Sequence, residues 1–159
     1  MGTRVVAAVA IGSSLGDREA HLQFACTRLA DVLANLRVSS ILETMPVGAA
    51  SQVPMFLNAA AVGDATGSAH DLLEALLALE RERGRERPFP NAPRTLDLDL
   101  ILFGSQIIGD DRLTVPHPRF RERRFVLKPL AEIAAEMQDP TTGHTVGELL
   151  AELDLHRQA

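Results

Sequence analysis

Apolar runs and helical stripes follow one another along the chain in a readable order. Val5 to Ile11 is apolar throughout, the pattern of a strand buried on both faces, so Arg4 to Ile11 is read as the first strand. Gly12-Ser13-Ser14-Leu15-Gly16-Asp17 interrupts it as a loop. Leu22, Cys26, Leu29, Val32 or Leu33, and Leu36 then recur at helical spacing, which predicts a helix from about Arg18 to Ala34. Val38 to Met45 reads as a second strand and Phe56 to Val62 as its hairpin partner, with the proline-bounded loop Pro46 to Pro54 between them. Ser68-Ala69-His70-Asp71 has the form of a capping box with Asp in place of Glu, and Leu72, Leu73, Leu76, Leu77 and Leu79 carry a helix to about Arg83. Gly84 to Pro93 holds too many prolines for regular structure. In Leu96-Asp97-Leu98-Asp99-Leu100 the leucines alternate with the acids, as in a strand with one face on a core and both carboxylates on the other. Beyond it, Gln106 to Ile108 reads as a short strand and Val115 to Pro118 as extended. A helix is expected from Phe125, with Pro129 tolerable only in its first turn, and Thr145-Val146-Gly147-Glu148 caps a last one.

The order β-α-β-β-α-β with accessory pieces matches the ferredoxin-like split βαβ plan. The expected fold is α+β: an antiparallel sheet with helices packed on it and extra C-terminal strands and helices. In that plan the first and fourth strands are expected side by side at the sheet centre, bringing Gly12 to Asp17 close to the acidic strand. A chain of 159 residues suits one substantial core, so residues 1–159 are read as a single domain. Cys26 is the only cysteine, which excludes an intrachain disulfide and a thiolate metal cluster and suits a reducing cytoplasm. The apolar opening is too short for a secretory signal, and no stretch approaches a membrane span.

Charge changes the picture further. The net charge of -5 argues against general affinity for nucleic acid, yet residues 81–124 carry ten arginines against seven acidic groups. Lys128 is the only lysine. Arginine's planar fork suits bidentate contact with phosphate oxygens, so a small polyanion near residues 81–124 is expected. Two carboxylates on one strand face repel each other unless a cation such as Mg²⁺ sits between them. A solvated polar face explains Asp97 and Asp99 as well. Glu80, one heptad after Leu73, belongs either in a cleft or at the edge of the apolar stripe. With no Gly-x-x-x-x-Gly-Lys sequence the chain is not a P-loop protein. Its acidic balance and its lack of Trp and Tyr do not suit an RNA-recognition module.

The set Gly12-Ser13-Ser14-Leu15-Gly16-Asp17, Phe56-Leu57-Asn58-Ala59, Gly84-Arg85, Pro93-Arg94-Thr95-Leu96-Asp97-Leu98-Asp99-Leu100 and Val115-Pro116-His117-Pro118 resembles the 6-hydroxymethyl-7,8-dihydropterin pyrophosphokinases of folate biosynthesis over roughly residues 4–135. The resemblance implies a cytoplasmic enzyme that moves the terminal diphosphate of ATP to the pterin hydroxymethyl group and releases AMP. It implies two Mg²⁺ ions on Asp97 and Asp99, with Arg85 and Arg94 stabilising the moving charge. Glu80, Arg87, Arg112, Thr114, His117 and Arg123 would bind the nucleotide. Phe56 and Phe125 would sandwich the pterin, while Asn58 and the backbone around Thr44, Pro46 and Val47 read its edge. For Phe56 and Phe125, ordinary core packing is the competing explanation. The expected partners are ATP and the reduced pterin, with no nucleic acid or membrane, and the expected state is a monomer.

Some positions depart from the family's usual pattern. Ser14 stands where Asn is common, Phe56 where Tyr is frequent, and Pro118 where an aromatic often follows the histidine. Pro88-Phe89-Pro90-Asn91-Ala92 lacks the Arg-Trp pair found in many members. The rival chemistry for an Asp-x-Asp pair among arginines is nucleotidyl transfer, which releases diphosphate instead of AMP.

Overall fold

The structure, a computed structural model, describes residues 4–13, 18–44, 56–84 and 96–158. Along these residues the order is β1 (Val5–Ser13), α1 (Arg18–Val32), β2 (Ala34–Val38), β3 (Leu42–Thr44), β4 (Phe56–Ala65), α2 (Ala69–Gly84) and β5 (Asp97–Phe103). There follow β6 (Ile108–Gly109), β7 (Thr114–Val115), a 3-10 turn η1 (Phe120–Glu122), α3 (Arg124–Ala134) and α4 (Val146–Gln158). The main sheet runs β2-β4-β1-β5 with β3 also on β4, and its pairings are antiparallel.

The expected βαββαβ order is present, with one correction to its topology. The first and third strands of that plan, β1 and β4, form the centre, and the acidic strand β5 lies at the edge against β1. The physical reason is burial: β1 and β4 are apolar on both faces, whereas β5 exposes a carboxylate face.

β1 separates two cores by simple alternation. Ala7, Val9 and Ile11 pack with Leu22 and Leu29 of α1 and Leu72 and Leu76 of α2. Ala8 faces the opposite core, with Phe120 of η1, Leu127 and Leu130 of α3, and Val146 and Leu149 of α4. The sheet is thus sandwiched between two helical layers. A register shift between Ala8 and Val9 against β5 lets both Ile101 and Leu102 join the α3 side.

The two capping boxes close as expected. Ser68 N–H donates to Asp71 Oδ2 at 3.1 Å, and Asp71 N–H to Ser68 Oγ at 3.0 Å. Thr145 N–H donates to Glu148 Oε1 at 2.8 Å, and Glu148 N–H to Thr145 Oγ1 at 3.1 Å. Other boundaries differ. The predicted strand 38–45 begins earlier, at Ala34, and is split into β2 and β3. At the split, Ser39 keeps its backbone bond to Ala60 O, and its hydroxyl serves Ala60 N–H and Ser40 O. Pro129 lies in the second turn of α3, not the first. Its missing N–H costs one helical hydrogen bond, offset by the burial of Val126, Leu127, Pro129 and Leu130 on one face.

Gly63 marks where the α1–β2 turn presses on β4. A Cβ there would lie 2.8 Å from Leu33 Cβ and 3.0 Å from Ala34 O. Gly63→Ala is therefore expected to destabilise by about 1–3 kcal/mol through overpacking, measured by urea unfolding. A midpoint at or above that of the parent would show that the turn yields freely.

Candidate active site

The sheet's register builds the floor of a cleft. Asp97 stands opposite Gly12 and Asp99 opposite Ala10 on β1, Gly12 in turn opposite Asn58 on β4, and Asn58 opposite Leu42 on β3. Because side chains alternate, Asp97, Asp99, Asn58, Phe56 and Thr44 share one face. Between the acids and the amide, β1 offers only Gly12 and Ala10. A Cβ at Gly12 would sit 3.7 Å from Asn58 Oδ1 and 4.0 Å from Asp97 Cβ, within the floor itself. The small residues keep the row open to a flat ligand.

The wall comes from the junction of η1 and α3, where Glu122, Arg123, Arg124, Phe125 and Val126 line the same cleft of about 760 Å³. That volume lies in the range of small-molecule sites. The junction is positively charged for two reasons. Arg123 occupies the N-cap position of α3 with no side-chain cap, and the first turn holds no acidic residue, so the helix dipole and the Arg123 guanidinium act together. Arg123 stacks at 5.7 Å from the Phe125 ring centroid, and Arg124 Nε donates to Asp154 Oδ1 of α4 at 2.8 Å. An anionic ligand carried between this wall and a cation held by Asp97 and Asp99 would be neutralised from both sides.

Of the remaining expected residues, Thr44, Phe56, Asn58 and Phe125 line this cleft, whereas Glu80, Arg112, Thr114 and His117 are not among its lining residues. Asn58 Nδ2 donates to Thr44 Oγ1 at 2.8 Å, fixing the amide across β3 and β4. Phe56 is 37% exposed, which sets it apart from a core phenylalanine, and Phe125 is half-buried. Glu80 is half-buried, and its Oε2 accepts from Leu98 N–H at 2.7 Å. That amide lies between the two acids on the outer edge of β5, so Glu80 fixes the strand bearing them.

His117 N–H donates to Ile101 O, tying the residue to β5. Burial pushes its imidazole below the ordinary histidine value; Arg123 and Arg119 add to this, against the opposing pull of Asp99. Its Nδ1 accepts from Arg119 N–H at 3.1 Å, so in the neutral ring the proton is on Nε2, available to donate. Arg112 and Thr114 sit farther out on the exposed β6–β7 hairpin, where Arg112 pairs with Glu74 of α2. Arg85, Arg87, Arg94, Pro46 and Val47 lie outside the described residues.

Sequence reasoning missed Glu43, Glu122 and Arg124 as lining residues. The run Arg119, Arg121, Arg123, Arg124 ahead of Phe125 was the available signal for Arg124. Nothing local marked the two glutamates.

Two hard carboxylates on one face, opposite residues that bring no competing side chain, suit Mg²⁺. Among the described residues, no group of three or more His, Cys, Asp or Glu forms a closed metal cage. The remaining positions would fall to water and phosphate, as is usual for Mg²⁺.

Comparison with known proteins gives a consistent outcome. The family described as 7,8-dihydro-6-hydroxymethylpterin-pyrophosphokinase (HPPK) matches residues 8–135. The 2-amino-4-hydroxy-6-hydroxymethyldihydropteridine pyrophosphokinase of Bacillus subtilis is 42% identical over 139 residues, covering 86% of this chain and 83% of that protein. The Pseudomonas aeruginosa protein of the same name is 42% identical over 146 residues, covering 90% and 88%. Among solved structures, Plasmodium falciparum HPPK-DHPS with pterin and p-hydroxybenzoate superposes with a TM-score of 0.76 at 12% identity, over 99% of this chain and 44% of that one. At that identity the likeness shows the fold. Among the described residues, no helix is long and apolar enough to cross a membrane.

Proposed function

The chain belongs to the 6-hydroxymethyl-7,8-dihydropterin pyrophosphokinase family and is a pyrophosphokinase of folate biosynthesis; on that premise we propose how its cleft divides the work. The enzyme transfers the diphosphate of ATP to the hydroxymethyl group of the reduced pterin and releases AMP. The observation that carries the site assignment is the register, which lines up the Asp97/Asp99 pair, Gly12 and Asn58 across three strands beneath the arginine wall.

In this reading Asn58 and Thr44 bind the pterin's hydrogen-bonding edge. Phe56 and Phe125 hold the ring faces, since a flat aromatic slab gains most from stacking plus a side chain that both donates and accepts. The backbone at Pro46 and Val47 is assigned to the same edge of the pterin by the family resemblance. Arg123 binds the phosphates, and His117, neutral with its proton on Nε2, donates to the nucleotide. Arg85 and Arg94 stabilise the transferring group, and Glu80, Arg87, Arg112 and Thr114 complete the nucleotide side. For Arg112 this requires release from Glu74. Asp97 and Asp99 would hold two Mg²⁺ ions, which when bound neutralise phosphate charge and lower the pKa of the pterin hydroxyl.

The hydroxyl oxygen attacks the β-phosphorus in line, its proton is released, and the bond from that phosphorus to the AMP oxygen breaks. Protein side chains take no covalent part. Their contribution is to hold donor and acceptor in line and exclude water as a competing nucleophile. The deciding experiment incubates the purified chain with ATP, Mg²⁺ and the reduced pterin and identifies the small product. AMP together with the pterin diphosphate is expected, whereas free diphosphate with AMP retained on the acceptor would overturn the reading.

Asn58→Ala tests the pterin edge separately. Losing a side chain that pairs with a buried polar edge is expected to lower kcat/KM for the pterin by about 10–100-fold and to leave the KM for ATP nearly unchanged. An equal effect on both substrates would place Asn58 elsewhere.

A further inference from the structure

Arg123 is the hinge point of the cleft wall, yet its backbone has no cap of its own. Its N–H donates to Phe120 O at 3.2 Å, closing η1, and its carbonyl accepts Val126 N–H and Leu127 N–H at 3.0 Å each, opening α3. Neither Arg119 at the N-cap of η1 nor Arg123 at the N-cap of α3 makes a side-chain capping bond. A three-residue 3-10 turn has little stability of its own, so the direction in which Arg123 leaves the wall must be fixed by what holds η1.

One polar anchor stands out. Arg121, the central residue of η1, donates from Nε and Nη2 to the two carboxylate oxygens of Asp139 at 2.5 and 2.9 Å. Asp139 is 0% exposed and also accepts from Thr142 Oγ1 at 2.8 Å and Thr141 N–H at 3.0 Å. Its own backbone closes the turn, with Asp139 N–H donating to His144 O and Gly143 N–H to Asp139 O. The guanidinium of Arg121 also lies over the Phe120 ring, 4.8 Å from its centroid. Burial works against a charged Asp139, yet the hydrogen bonds from Arg121, Thr142 and Thr141 outweigh it and hold the carboxyl below its ordinary range. A fork-to-fork pair with satisfied lone pairs fixes orientation as well as distance.

We infer that Arg121 and Asp139 are positioning residues for the pyrophosphoryl transfer: their ion pair clamps η1 to the α3–α4 connection and so aims Arg123 at the phosphates. This inference rests on the phosphate-binding role given to Arg123 above. Neither residue lines the cleft, so any effect on turnover must travel through the wall.

A double-mutant cycle on the full chain separates aiming from bulk stability. Asp139→Asn, Arg123→Ala and the double variant are assayed for AMP release well below their melting temperatures, with circular dichroism confirming complete folding. Asp139→Asn is expected to lower kcat/KM for ATP by roughly tenfold in the parent and by less than about twofold in the Arg123→Ala background. Its loss of thermal stability should be the same in both. Arg121→Lys, which keeps the charge but loses the fork, should reproduce the kinetic effect with a smaller stability loss, and it serves in place of Asp139→Asn should that variant not fold. Equal kinetic losses in both backgrounds, or unchanged kcat/KM in a folded Asp139→Asn or Arg121→Lys protein, would overturn the inference. An Arg123→Ala protein with parental kcat/KM would instead overturn the role of Arg123 and the inference with it.

Discussion

Replacing Asp97 with alanine is expected to end detectable AMP release, a loss of at least about a thousandfold in kcat, while the protein stays folded. The magnitude follows from the several kcal/mol that a bound metal contributes to stabilising phosphoryl transfer, at about 1.4 kcal/mol per tenfold in rate. Asp97 is half-buried at the start of an edge strand, beside Asp99, and the neighbouring position on β1 is Gly12. Asp97 opens an edge strand and belongs to neither hydrophobic core, so the fold is expected to survive the loss. The assay is AMP production at saturating ATP and pterin over a range of Mg²⁺ concentrations, paired with a thermal melt. A folded variant that keeps more than a tenth of parental turnover with the same Mg²⁺ dependence would remove the metal role from this strand.

The second large effect is on stability. Phe120→Ala is expected to cost about 3–5 kcal/mol, the usual range for deleting a fully buried aromatic ring. For a chain of this size each kcal/mol lowers the melting temperature by about 2–4 °C, so the fall should be roughly 6–20 °C. Phe120 is 0% exposed and belongs to the core shared with Ile101, Leu102, Leu127 and Leu130. It is also the apolar root of η1, and its carbonyl accepts the Arg123 N–H. The variant should therefore lose affinity for ATP at temperatures where it remains folded. A melting temperature within about 2 °C of the parent would mean that the ring's space is refilled by its neighbours.

Much of this architecture was legible in local patterns because local physics decides it. The alternation at residues 96–100 requires both carboxylates to share a face whatever the strand pairs with. Ser68 with Asp71 and Thr145 with Glu148 satisfy orphan amides within one turn, so each helix start could be read from four residues. The segment holding Phe56 and Asn58, which both line the cleft, could be singled out because the resemblance lay in contiguous segments.

Other features depend on partners far away in the chain and leave no local mark. The split between β2 and β3 turns on Ser39 meeting Ala60. Pro129 in a second turn is tolerated because α3 gains burial against the sheet, which no helix propensity encodes. Glu80 could be placed near the apolar stripe, but its bond to Leu98 N–H depends on β5 occupying an edge with that amide turned outward. Asp139, ahead of Pro140, Thr141 and Thr142, holds a fully buried carboxylate clamped by an arginine from η1, and nothing in the neighbouring sequence marks it.

The sequence by itself determined the order of elements, the shared face of Asp97 and Asp99 and the helix starts, because each is written in spacing along the chain; the family was carried instead by the resemblance of contiguous motif segments. Tertiary structure alone decided that β1 and β4 form the centre and β5 the edge, and that Gly12 lies between the acids and Asn58. It also decided that the arginine wall is fixed from behind through Arg121 and Asp139. The physical reason is that strand order and buried ion pairs are chosen by which faces can be removed from water together, a property of several distant segments at once.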